Sequence, residues 1–190
     1  SALDGNLGQS LFDPAFTMID DALLDGRMES ASYDDEGVPH RRTVLIGEGV
    51  LRSFYYDLKT AAQAGVTSTG NGQRSLFSQP SPTLTNLVVG AGDVPLAEMI
   101  GGVRSGLLIR EFLGLGQGNT SSGAFSNPVS LGYRIENGEI VGRVKDVSIA
   151  GNVYDVLRSI GGLSREREWI YKSLHFPYLL LDDMNVVAKC

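Results

Sequence analysis

Apolar residues in this chain recur in two rhythms. Most lie in short runs of β-branched and aromatic side chains, punctuated by single glycines; a few repeat at i, i+3, i+4 and i+7. The first rhythm predicts strands. Thr43–Ile46 and Val50–Tyr56 flank Gly47-Glu48-Gly49 and read as a hairpin, as do Val129–Ile135 and Glu139–Ile149 around Asn137-Gly138. Phe12–Leu24 reads as a strand with a polar interruption, and Leu84–Val89, Leu107–Phe112, Tyr178–Leu181 and Val186-Val187 as further strands. The second rhythm predicts three short helices. Asp57–Ala64 has Asp57 as cap and Gly65 as stop. Leu96, Met99, Ile100 and Val103 mark a helix capped by Asp93 and stopped by Gly106, and Asn152–Ile160 ends at Gly161-Gly162. The expected fold is α+β and β-dominated: one domain over 1–190, an antiparallel sheet or barrel with a few short packing helices. No linker and no fixed-period repeat interrupts it.

Composition adds exclusions. There are two histidines (His40 and His175) and one cysteine, Cys190. An internal disulfide framework is therefore excluded, and a self-contained His/Cys zinc site is not expected. The net charge of −6 argues against nucleic-acid binding, for which Arg41-Arg42 is the best basic candidate. Arg165-Glu166-Arg167-Glu168 alternates in sign and reads as a solvated face. No signal peptide and no apolar run of the ~20 residues a membrane span needs is visible, so a cytoplasmic setting is expected, with no membrane partner.

Three features are candidates for chemistry. Ser68, Thr69, Gly70, Asn71 and Gly72 form a small, polar, glycine-bearing loop followed by Arg74. It reads either as an exposed turn or as a backbone anion cradle, without the Gly-Lys-Ser/Thr of a P-loop. Gly116, Gln117, Gly118 and Asn119 lie in a second glycine-rich stretch, which lacks the third glycine and following helix of a dinucleotide fingerprint. The acidic pairs Asp20-Asp21, Asp34-Asp35 and Asp182-Asp183 read as turn residues or edge protection, since neighbours on a strand face opposite ways. No Gly-x-Ser-x-Gly elbow accompanies His40 or His175.

The order of segments is more specific than any one of them. Asp34–Pro39, Arg42–Ile46 with Gly49–Leu51, Tyr56–Ala61, Ser68–Gly72, Pro82–Leu87, Gly116–Gly118 with Ser122–Ser126, Ile135–Ile140 and Ile149–Asn152 together resemble the TldD/PmbA family, whose members are also called modulators of DNA gyrase. The match runs from about Phe12 to Val187. The resemblance implies the C-terminal domain of a longer protein whose N-terminal half is absent here. It implies a metallopeptidase system that trims unfolded peptides held through their main chain. In it a zinc-binding TldD-like subunit with a His-Glu-x-x-x-His helix pairs with a PmbA (TldE)-like subunit.

This sequence departs from the zinc-binding pattern. His40 precedes Arg41, His175 precedes Phe176, and Tyr171–Phe176 holds no cysteine where the TldD branch places one. Leu7–Pro14 and Ile149–Asn152 resemble the PmbA branch. The expectation is a non-catalytic chain without its own cofactor, zinc belonging to a TldD-like partner. Ser68–Gly72 and Gly116–Asn119 are the candidate peptide-cleft loops, and the partner is a TldD-like subunit or a second copy. The alternative is a stand-alone hydrolase using His40 or His175; gyrase modulation ranks below both.

Overall fold

The structure, a computed structural model, describes residues 3–115 and 121–188. The first half carries β1 (Met18–Asp21), β2 (Arg42–Gly47), β3 (Val50–Leu51), α1 (Leu58–Ala64), β4 (Gly72–Gln73), β5 (Ser81–Pro82), β6 (Leu87–Val89) and α2 (Leu96–Gly101). The second half carries β7 (Ser105–Phe112), β8 (Ala124–Glu136), β9 (Glu139–Arg143), β10 (Val147–Asn152), α3 (Val153–Val156), β11 (Gly162–Ile170), β12 (Leu174–Leu180) and β13 (Asn185–Ala188). The β-dominated α+β architecture expected from the pattern is the one observed.

The strands form two main sheets. The six-stranded sheet has the order β11-β12-β6-β1-β2-β3, antiparallel except where β12 lies parallel to β6. The five-stranded sheet runs β13-β10-β8-β7, with β9 also paired to β8. The long β8 serves three neighbours because it outruns each of them. Its far end turns through Asn137 (φ 49°) and Gly138 (φ 83°), the two left-handed positions that an Asn-Gly hairpin turn requires. Each sheet has its own apolar core. Phe12, Phe16, Ile46, Leu51 and Val89 fill the first, covered by Tyr154, Leu157 and Ile160 from α3 and the segment after it. Val129, Val147 and Ile149 fill the second.

Local sequence signals set the helix ends with mixed success. In α1, Asp57 accepts from Thr60 N–H at 2.6 Å, Thr60 Oγ1 accepts from Asp57 N–H, and Gly65 closes the helix in the left-handed region. Burial works to raise the Asp57 pKa, but the hydrogen bonds from Thr60 outweigh it and hold the carboxyl below its ordinary value. In α2 the expectation fails: Asp93 does not cap, the helix starts after Pro95, and Gly102 rather than Gly106 ends it. Proline at the helix entrance fixes φ and leaves no place for an earlier turn. α3 is a single turn capped by Asn152, shorter than the expected Asn152–Ile160, because the chain leaves it at Leu157. Arg165–Glu168 is exposed throughout, as expected of a solvated face, and it lies within β11.

Replacing Asp57 with Ala removes one half of the reciprocal cap. It should lower stability by about 1 kcal/mol, read as a shift in urea midpoint. The difference from the parent should shrink as pH falls through the depressed Asp57 pKa, because the protonated carboxyl no longer caps well.

Candidate functional site

β1 lies in the middle of its sheet, so its side chains meet partners brought from far along the chain. Asp20 is 1% exposed. One carboxylate oxygen accepts from Asn71 Nδ2 at 2.6 Å; the other accepts from the Thr85 N–H at 2.7 Å and its hydroxyl at 2.9 Å. Asn71 Nδ2 also donates to the Thr83 carbonyl, and Asn71 Oδ1 accepts from Thr69 Oγ1. Thr69 Oγ1 accepts in turn from Tyr56 N–H at 2.6 Å. Asp21 points the other way, towards Arg42 and the Leu23 N–H. The opposite-face reading of this pair holds, but both residues are buried in a central strand rather than placed at a turn or an edge.

The Ser68–Gly72 segment is therefore not an exposed loop. Ser68, Thr69 and Asn71 are buried, and Gly70 and Gly72 with them. Nor is it an anion cradle, because its N–H groups are already committed. Thr69 and Asn71 donate to the Tyr56 carbonyl, Gly70 to Ser68 Oγ, and Gly72 to Asp34 Oδ2. Arg41 does not form a basic patch; its guanidinium donates to the Ser68 and Thr69 carbonyls. Gly70 adopts φ 73°, and a Cβ there would run into the Pro39 carbonyl. Asp34 is the turn residue expected, accepting from Glu36 and Val38 N–H while also holding Gly72. Asp35 accepts from Arg74 N–H, and Glu36 from Leu58 N–H at the start of α1.

Above this layer lies a cavity of about 160 Å³. Asn71, Gly72 and Thr85 belong to its floor; Met28, Tyr33 and Leu84 supply apolar walls; Asp34, Asp35 and His40 complete one side. Met28 and Tyr33 are strongly exposed, so the cavity has a fixed polar floor and a greasy, accessible rim. Of the five predicted residues in the first loop, two line the cavity and three (Ser68, Thr69, Gly70) lie beneath it as its support. Gly116, Gln117, Gly118 and Asn119 lie outside the described residues, as does Cys190. The sequence reading missed the wall at 28–33 and the role of Asp20. The only available signal for Asp20 was an aspartate inside an apolar run.

The two histidines are not brought together. His40 lines the cavity, and among the described residues no hydrogen bond joins its ring to a carboxylate. His175 sits on β12 and stacks on Trp169 of β11, with ring centroids 4.3 Å apart and planes 4° from parallel. Burial, with Arg167 and Arg27 nearby, lowers its pKa from the ordinary histidine value. Among the described residues no hydroxyl–imidazole–carboxylate chain is assembled, and no three His, Cys, Asp or Glu side chains converge as metal donors. The carboxylates that line the cavity do not fit a zinc ion either: Asp34 already accepts N–H donors on both oxygens and Asp35 accepts the Arg74 N–H, and with Glu29 and His40 they do not converge as a donor set among the described residues.

Comparison with known proteins agrees with the fold and with the family resemblance. A family model described as the PmbA/TldA metallopeptidase C-terminal domain matches residues 1–188. A metalloprotease of Methanothermobacter thermautotrophicus is 37% identical over 166 residues, covering 87% of this chain and 36% of that protein. A Haemophilus influenzae metalloprotease TldD homolog is 34% identical, covering 88% of this chain and 35% of its own length. The crystal structure of TldE from Thermococcus kodakarensis superposes with a TM-score of 0.86 at 30% identity, over 94% of this chain and 41% of that one. A Thermotoga maritima structure named as a modulator of a DNA gyrase gives 0.87 at 34% identity, over 98% and 42%. The chain thus spans little more than a third of its sequence relatives' length.

Three outcomes follow from this geometry. Asp20→Asn replaces one of the two acceptor oxygens by an amide N–H₂ and leaves a buried donor unpaired; it should cost about 1–3 kcal/mol, and Gly70→Ala more than about 1 kcal/mol, both read from urea midpoints. The His175 pKa is depressed in the folded state, so its contribution is full above the unfolded value near 6.5 and declines as pH falls below it. Thermal melts should show the parent losing more stability than His175→Phe between about pH 7 and about pH 5.

Proposed function

Because the chain belongs to the PmbA/TldD metallopeptidase family, we propose that it is a peptide-holding, non-catalytic C-terminal domain of a TldE-like subunit. Hydrolysis is supplied by a zinc-bearing TldD-like partner, and the pair works in the cytoplasm on unfolded peptides, in proteolysis and peptide maturation. The likeness to TldE over nearly the whole chain supports the choice of subunit. The observation that carries the reading is the cavity itself: a rigid hydrogen-bonded floor under an apolar rim, beside which no nucleophile–base pair or metal donor set is gathered among the described residues.

Such a site suits an extended peptide better than a compact ligand. Its floor is held in place by its own hydrogen bonds, and the exposed Met28 and Tyr33 offer adaptable apolar contact with little demand for one side chain. Asp20 and Asn71 would hold the floor, and Asp34 would tie it to the neighbouring turn; these are positioning roles. Zinc, where the assembly has it, would polarise the scissile carbonyl from the partner's side.

The purified chain should bind a pool of unstructured, fluorescein-labelled decapeptides by anisotropy while releasing no new amino termini, and should carry less than stoichiometric zinc. Peptide hydrolysis by this chain alone, abolished by His40→Ala or His175→Ala, would favour the stand-alone hydrolase instead. Stoichiometric zinc lost with either histidine would contradict the non-catalytic reading.

A further inference from the structure

The exposed wall of the cavity, Met28–Ala31, belongs to a segment between β1 and β2 that contains no helix or strand. Its base is fixed: Ala31 N–H donates to the Ala22 carbonyl, and Asn86 Nδ2 donates to both the Asp21 carbonyl and Ser30 Oγ. Its tip meets β11 through Arg27. The Arg27 guanidinium sits 3.7 Å from the centre of the Trp169 ring. Trp169 and His175 are direct cross-strand partners, and the imidazole lies flat on the indole at 4.3 Å. The indole thus carries two stacked partners, the Arg27 guanidinium and the His175 imidazole. Arg27 immediately precedes Met28, so the stack sets where the wall stands although none of its three members lines the cavity.

We infer that Arg27, Trp169 and His175 form a positioning clamp that holds the outer wall of the cavity and so tunes its affinity for an extended peptide. The inference rests on the peptide-holding reading for its consequence, but not for its geometry. Cross-strand stacking orients the indole, and the cation closes on the indole so held. A neutral His175 suits the clamp, because a second cation on the same indole would oppose Arg27. Arg27 and Arg167 are the charged groups that act on it.

Trp169 is the chain's only tryptophan, so its emission reports the clamp without a label. The test uses the full chain, Arg27→Gln and the conservative Arg27→Lys, with a tryptophan-free pool of unstructured decapeptides as probe. Binding is read by anisotropy and by Trp169 emission, and the wall by amide hydrogen exchange. Arg27→Gln should speed exchange at Met28–Ala31 with the two sheet cores unchanged. It should weaken peptide binding roughly two- to fivefold, the size of an exposed cation–π contact, and Arg27→Lys should restore most of it. In the parent, Trp169 emission should change in step with peptide occupancy. Unchanged exchange at 28–31 in Arg27→Gln overturns the clamp whatever the peptide does. Faster exchange with peptide affinity equal to the parent's overturns its role in binding. A parent chain that binds no peptide overturns the peptide-holding reading, leaving the exchange data to decide the clamp by themselves.

Discussion

The Asp20 carboxylate is the constraint on which the rest depends. A buried charge in the centre of a sheet is tolerable only when its oxygens are fully engaged. Here the donors come from Asn71 and Thr85, 51 and 65 residues away in sequence. Satisfying one side chain therefore fixes three separate segments relative to each other. From that junction the order spreads outward through Asn71 to Thr69 and Tyr56, and through Gly72 to Asp34. The cavity floor is the upper surface of this network.

A second set of polar contacts links the two sheets rather than building a site. Arg110 of β7 makes paired hydrogen bonds to Glu168 of β11, Tyr178 of β12 donates to the same carboxylate, and the guanidinium lies 5.2 Å from the Tyr178 ring centre. These groups are substantially exposed, so each pair contributes little to stability. Their value is directional: they fix the angle between the edges while the two apolar cores stay separate. The cavity floor and the Arg27–Trp169 contact both hang on the six-stranded sheet, and the five-stranded sheet supplies bulk and an exposed edge strand, β13.

What the sequence made legible was local. The reciprocal cap at Asp57, the Asn137-Gly138 hairpin and the strands β2, β7 and β8 follow from neighbours a few residues apart, and the ordered blocks identified the family. The candidate loop at Ser68–Gly72 was found, but its burial was not. Its composition is that of any surface turn, and the partners that satisfy a buried polar segment, Asp20, Asp34, Arg41, Tyr56 and Thr83, lie elsewhere in the chain. β11 was hidden for a related reason: Arg165–Glu168 alternates charge on an exposed stretch, so no apolar face marks it as a strand. The α2 start was misplaced because Pro95 overrode the capping residue two positions earlier. The wall at 28–33 carries no periodic signal at all; its position depends on Trp169, in another element.

The central claim is that the cavity over the Asp20 network is where this domain holds an extended peptide, without chemistry of its own. Amide chemical-shift mapping of the labelled chain, titrated with the unstructured decapeptide pool, tests it most directly. The account predicts that shifts concentrate at Met28–Asp35, Gly72-Gln73 and Thr83–Thr85, with the peptide intact at the end of the titration. Shifts centred on the β13 edge or elsewhere with these segments silent, or cleavage of the peptide by the chain alone, would contradict it.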